Sequence, residues 1–351
     1  MMKKLKVLIL LTIIFSSASF GTSYSGYKYE VFFGSMGSAR SEAMGRIISV
    51  DKNAFSYISN PAMIADQRGL HISYSNSNFR DQSFDNNHFN FSGVKYNYKD
   101  NYFGINLLYI NKETARITGQ DNPNYKIISL TYARPISNIL NFGARVNMFV
   151  DDIYKNNRKS GTFLDLGLYK SKEFLRTNRL NDNLYFGLQY SNFLNQSIDF
   201  DNTTLLFPSI LRVGFNYDLY YINDYNFYSS PYLIKLSPAI EYQNVTNSEY
   251  FKGMRYGLEL GLFDILFARC GYYSIKQEEH SHTQYPDQYS RYLSEATYGF
   301  GIKFELNRYL ENFIPLNINI DYTELNNPNE YKPVDFGNFS IIDLTVNYKM
   351  K

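Results

Sequence analysis

From about residue 69 onward, runs of eight to thirteen residues alternate apolar with polar or small side chains. In 183–192, Leu184, Phe186, Leu188 and Tyr190 share one face, and Tyr185, Gly187, Gln189 and Ser191 share the other. In 141–150, Phe142, Ala144, Val146 and Met148 oppose Gly143, Arg145, Asn147 and Phe149. In 254–262, Met254, Tyr256, Leu258, Leu260 and Leu262 oppose Arg255, Gly257, Glu259 and Gly261. Alternation at period two requires extended strands with one apolar face. Asn, Asp, Ser, Gly and Pro fill the gaps between runs, as turns require.

Two architectures give such strands. A soluble sandwich turns the apolar face inward; a transmembrane barrel turns it to lipid and its polar face to a lumen. Run length favours the barrel, since ~9–11 residues cross a bilayer at a tilt and sandwich strands average nearer 5–6. The non-apolar face is rich in glycine (Gly104, Gly143, Gly167, Gly187, Gly214, Gly257, Gly299, Gly301), which suits a crowded interior. The chain carries 34 Tyr and 28 Phe, many at strand ends, where interfacial girdles sit. The reading is an all-β fold: a transmembrane antiparallel β-barrel of about fourteen strands over 69–351, with long loops at 77–87, 112–123, 151–160, 193–208, 276–294 and 326–337.

Residues 1–20 read as a signal peptide: Lys3, Lys4 and Lys6, then apolar Val7–Phe15, then Ser16, Ser17, Ala18 and Ser19. The apolar stretch is far short of the ~18 residues of a spanning helix. Its removal takes three of the 35 Lys and Arg and leaves 32 against 33 Asp and Glu, a nearly neutral mature chain. Residues 21–68 do not alternate, yet they carry Val31, Phe32, Phe33, Met36, Met44, Ile47, Ile48, Phe55, Ile58, Met63 and Ile64. So apolar a segment must bury itself, and the barrel lumen is the nearest cavity. It is therefore expected to form an internal plug or hatch, with a short helix within Ser38–Ile48 and a turn at Pro61.

The stretch Gly37-Ser38-Ala39-Arg40, then Ala43-Met44-Gly45, Asp51, and Asn60-Pro61-Ala62 resembles the hatch of the FadL superfamily, and most of all its PorV/PorQ-like branch. Asp165-Leu166-Gly167, Phe207-Pro208 before Arg212 and Gly214, and Arg269-x-Gly271-Tyr272 extend the resemblance. Arg46 stands where many members carry a second glycine, and the chain ends on Tyr348-Lys349-Met350-Lys351, not on an aromatic residue. The resemblance implies a barrel in the outer membrane of a Gram-negative-type bacterium, surrounded by outer-membrane lipid. It also implies a type IX secretion accessory that binds secreted proteins or secretion-machinery components. The alternative is a FadL-like channel for hydrophobic small molecules (lipids, fatty acids), which would need a contiguous apolar pocket between hatch and wall. The hatch residues are Arg40, Gly45, Asp51, Asn60, Pro61 and Ala62.

On the inward face the alternation places both charges: Lys95, Arg145, Arg212, Lys235, Arg255, Arg269 and Lys303 against Asp165, Asp218, Glu241, Glu259, Asp321 and Asp343. Arg145, Asp165, Arg212, Arg255, Glu259 and Arg269 form the expected core of a network pairing across the barrel. Balanced charge argues against an ion-selective pore, whose rings carry one sign. Tyr285, Tyr289 and Tyr292 are candidate outer-loop contacts, and Pro238 is a candidate kink in the wall. No catalytic residue emerges: His71 and His88 have no partner at a telling spacing, and His280 and His282 beside Glu278 and Glu279 read as a solvated loop rather than a metal site. Cys270 is the one cysteine, so no disulfide framework or multi-cysteine metal site is expected. A net charge of +2 excludes a strongly basic nucleic-acid binder, and no cofactor motif is present.

Overall fold

The computed structural model describes residues 37–51, 59–66, 70–81, 84–92, 96–98, 100–114, 124–137, 140–151, 159–200, 203–222, 231–246, 252–276, 292–306, 316–325 and 339–348. The strands are β1 (Leu70–Asp81), β2 (Phe84–Ser92), β3 (Tyr96–Tyr98), β4 (Asn101–Thr114), β5 (Asn124–Ser137), β6 (Leu140–Asp151), β7 (Lys159–Lys172), β8 (Leu180–Ser191), β9 (Ser197–Phe200), β10 (Thr203–Leu206), β11 (Ile210–Tyr221), β12 (Ile234–Val245), β13 (Gly253–Leu262), β14 (Leu266–Lys276), β15 (Tyr292–Glu305), β16 (Leu316–Leu325) and β17 (Phe339–Tyr348). Each wall strand pairs antiparallel with its neighbours, β1 pairs with β17, and β2 pairs with both β1 and β4. The sheet therefore closes on itself. β2 and β3 both lie against β4 and count as one wall strand, and β9 and β10 form a separate hairpin. The ring has fourteen strands, as the alternating runs predict.

The faces also follow the alternation. Leu130, Val146, Phe215, Tyr256, Leu258, Phe300 and Leu344 are exposed on the outside, and Arg145, Asp165, Arg212, Glu241, Arg255, Glu259 and Arg269 are buried inside. A closed barrel with this polarity is the inverse of a soluble one. It satisfies its backbone between strands and offers hydrocarbon an apolar belt, so it is a transmembrane barrel of the outer-membrane type. The expected loop at 77–87 is shorter than read. β1 and β2 run on to Asp81 and from Phe84, pairing Asp81 with Phe84. The polar sequence there conceals strand because a ladder beyond the bilayer needs backbone bonds, not apolar side chains.

Two stretches of the N-terminal segment fill the lumen. Helix α1 (Ala39–Ala43) starts at Ser38, whose hydroxyl accepts the Ser41 N–H at 3.1 Å. Gly45 and Arg46 follow, both with positive φ (73° and 64°), and reverse the chain. Arg46 is strained there where glycine would be free. Its guanidinium lies 4.3 Å from the Tyr273 ring centre and 3.1 Å from the Glu42 carboxylate, contacts that offset the strain. A 3₁₀ turn (Pro61–Asp66) makes the second stretch, and Ala62 and Met63 pack on Tyr169 and Tyr185. The signal segment 1–20 and the loop histidines His280 and His282 lie outside the described residues, as do Lys95, Tyr285 and Tyr289. Tyr292 opens β15, but its side chain, like those of His71 and His88, is not described.

Candidate functional site: the plug and its seat

The wall meets the plug along a belt of glycines. Register places Gly143 opposite Gly167, Gly187 opposite Gly214, and Gly257 opposite Gly271. A methyl on Gly143 would overlap the backbone of Pro61 and Ala62, one on Gly187 the carbonyl of Ser49, and one on Gly271 the backbone of Met44 and Gly45. These glycines let the plug backbone lie directly on the wall. Gly104 and Gly301 do other work: the first has room for a Cβ, and the second makes space for Arg269 and Asp321.

Polar clamps hold the plug between these contacts. Glu259 is the hub of the first: Arg40 Nε lies 2.8 Å from its carboxylate, Lys235 Nζ 2.7 Å and Arg269 Nε 2.6 Å. Arg40 also pairs with Asp51, which accepts the Ser38 hydroxyl at 2.7 Å, and Arg269 reaches Asp321 at 2.6 Å. In the second clamp Glu241 accepts the Ile48 N–H at 2.9 Å and the Ser49 N–H, while Arg255 reaches Glu241 at 3.2 Å and Gln243 at 2.6 Å. Arg255 also donates to the Arg46 carbonyl. Arg212 meets Gln243, at 3.0 Å. Asp343 accepts the Ala39 N–H, and Thr297 bridges the Ala43 carbonyl and the Gly45 N–H at 3.0 Å each. Burial raises the Glu42 carboxyl above its ordinary pKa, with Arg46 and the Gly37 N–H pulling the other way.

Asn60 ties the second stretch down. Its Nδ2 donates to the carbonyls of Ser49 (3.1 Å), Leu168 (3.0 Å) and Leu188 (3.3 Å), and its Oδ1 accepts the Ala62 N–H at 3.0 Å. One side chain thus joins both plug stretches to β7 and β8 and starts the turn at Pro61. Asn60→Ala is expected to weaken plug seating by ~2 kcal/mol, the cost of several lost buried bonds. Faster hydrogen exchange at Ala62 and Met63, with the strand amides unchanged, is the signature.

The pairing differs from the network across the barrel expected from sequence. Arg145 pairs with Asp165 at 2.7 Å on the next strand, and Arg255 with Glu241 likewise. The charges run around the wall and into the plug because the plug occupies the axis. Asp165 also accepts the Asn192 N–H at 2.9 Å, anchoring the loop that carries Phe207 onto Phe149 and Phe163. Glu241 and Asp343, placed on the inward face from sequence, and Gly271, part of the quoted resemblance, complete the seat together with Thr297, which the sequence reading did not single out. Inward glycines at matching distances from a shared turn are the signal that finds the belt.

On the short-turn side of the plug lies a cavity of about 220 Å³. Arg40, Lys235, Arg269 and Lys303 line it against Asp218, Glu259, Asp264 and Asp321, with the rings of Tyr185, Tyr220, Tyr232 and Phe267 between them. It is not the contiguous apolar pocket that an alkane-like cargo requires. Beside it the β11–β12 ladder skips Tyr217/Pro238 and Asp218/Ser237 without a change of register, since proline has no N–H to give. Pro238 remains paired with Leu258 on its other side, so it interrupts one ladder and does not kink the wall. Among the described residues no cluster of His, Cys, Asp and Glu could hold a metal ion.

No protein-family model and no curated protein matches this sequence. Among solved structures, a mutant of the TodX monoaromatic hydrocarbon channel overlays 89% of this chain and 98% of its own at 14% identity and a TM-score of 0.45. The Ralstonia pickettii toluene transporter TbuX covers 91% and 99% at 11% identity and 0.44. A Pseudomonas aeruginosa FadL homologue covers 90% and 98% at 11% identity and 0.41. At these scores the overlays carry nothing about cargo, and the fold stands on the chain's own strand pairing.

Proposed function

We propose that this chain is a plug-gated outer-membrane channel for small molecules that combine an apolar body with a polar end. The observation that supports it is the shared wall between cavity and clamp. Arg40 belongs to the plug, lines the cavity and pairs with Glu259. A ligand in the cavity therefore competes for the contact that seats the plug. The paired charges admit a polar end without a net field, and the four rings take the apolar body. The secretion-accessory reading rests on the motif resemblance and on outer loops that include Tyr285 and Tyr289.

The test is flux through proteoliposomes. The wild-type protein is expected to conduct ions poorly and to admit aromatic acids of about the cavity's size faster than sugars of equal mass. Arg40→Met is expected to raise ion conductance and reduce that preference. Equal impermeability of wild type and variant to every solute would overturn the channel reading. Recovery of a stoichiometric secreted protein from the gently extracted barrel would favour the accessory role.

A further inference from the structure

The link between β7 and β8 is described throughout and is not a tight turn. On the outward face of β7, Leu164, Leu166 and Leu168 give way to Lys170 and Lys172. Arg134 lies outward on β5, in the ladder row that runs through Phe142 to Leu168. Beyond Lys172 the chain forms an arm in which every residue from 171 to 180 is exposed, with Phe174 at 55% and Leu175 at 47%. The arm is nonetheless held in place. Asp182 accepts the N–H groups of Phe174 (2.9 Å) and Leu175 (2.7 Å) and the Tyr217 hydroxyl (2.7 Å). Thr177 N donates to the Leu180 carbonyl at 2.9 Å, and Ile222 N to that of Arg179 at 2.8 Å.

A fixed arm that presents apolar side chains to its surroundings is built to cover something. Its charge says what. Lys170, Lys172, Arg176 and Arg179 outnumber Glu173, which lies 3.7 Å from Arg176. The Lys172 ammonium sits 4.6 Å from the Phe174 ring centre, so cation and ring share a face. Cations that begin where the leucine column ends, beside rings and aliphatic tips, match the depth at which hydrocarbon meets headgroups. The geometry points to a docking surface for anionic phospholipid in the leaflet at the short-turn end of the barrel. Phe174 and Leu175 enter the acyl boundary, and the four cations hold phosphate headgroups.

The test places the full-length protein in bilayers of nine parts phosphatidylcholine to one part phosphatidylglycerol and counts retained lipids by native mass spectrometry. Phosphatidylglycerol is expected well above its one-in-ten share, with about a fivefold loss of that preference for each cation removed along the series K170Q, K172Q, R176Q, R179Q. The preference should fall with added salt and survive millimolar inorganic phosphate, which separates lipid from free anion. F174S/L175S keeps the charges and is expected to lower retention of both lipids alike. These positions lie away from the plug, and an unchanged heat-modified electrophoretic shift confirms a folded barrel. Equal retention of the two lipids by the wild type overturns the proposal. So does photo-crosslinking from position 174 in cells that yields only a protein partner.

Discussion

Gly271→Val is expected to expel the plug while leaving the barrel closed. The branched side chain would occupy the space held by the backbone of Met44 and Gly45. Overpacking a well-filled interior typically costs 1–3 kcal/mol and occasionally more, and here the cost should exceed about 3 kcal/mol because neither side can relax through a rotamer. The plug lies on backbone at Gly271, and the barrel cannot widen without breaking ladder bonds that run from β13 through β15. The outward face is untouched, so insertion and the heat-modified mobility of the barrel should match wild type. Trypsin should cut after Arg40 and Arg46 in the variant and spare both in the wild type, where they are buried. Single-channel conductance should rise from near closure to a stable open level. Gly104→Val is the control, because a Cβ there meets nothing nearer than 3.7 Å. Intact protection of Arg40 and Arg46 in Gly271→Val would show that the glycine belt does not seat the plug.

Glu259→Ala is expected to have the second largest effect. Its carboxylate faces Arg40, Lys235 and Arg269, all buried. Removing one partner of a buried ion pair typically costs 3–5 kcal/mol because the remaining charge stays dehydrated. Asp51 and Asp321 still serve Arg40 and Arg269, and Asp218 lies 3.6 Å from Lys235. The loss should therefore fall near the lower value, about 3 kcal/mol, or roughly a hundredfold in the population with the plug unseated. Glu259→Gln keeps the shape and separates charge from volume. A double-mutant cycle with Arg40→Met isolates the share that belongs to the plug. Coupling within experimental error of zero would mean that Glu259 braces the wall alone and that the cavity has no lever on the plug.

Much of the architecture was legible in the sequence because its cause is local. A residue at i and one at i+2 share a face whatever lies around them. Fourteen alternating runs therefore announced fourteen wall strands, and Arg145, Asp165, Arg212, Arg255, Glu259 and Arg269 could be placed inside. The apolar content of the N-terminal segment likewise demanded a cavity. The Met44-Gly45-Arg46 reversal shows the limit of motif reading: arginine at a position of positive φ looks like a departure until Tyr273 and Glu42 are seen to hold it.

What the linear sequence withheld is who meets whom. Register decides that Gly257 faces Gly271, and register depends on every turn length between two strands. Arg40 reaches Glu259 across 219 positions of sequence, and the Ser49 N–H reaches Glu241 across 192. No local pattern encodes those distances, because they depend on how far the plug rises in the lumen. Alternation, together with run length and inward glycines, determined a membrane barrel with a charged interior. Only closure of the sheet around the plug decided that its charges hold the plug instead of bridging an open pore, since a filled lumen leaves each charge a partner on a nearby strand, as Arg269 finds Asp321 past Gly301, or on the plug.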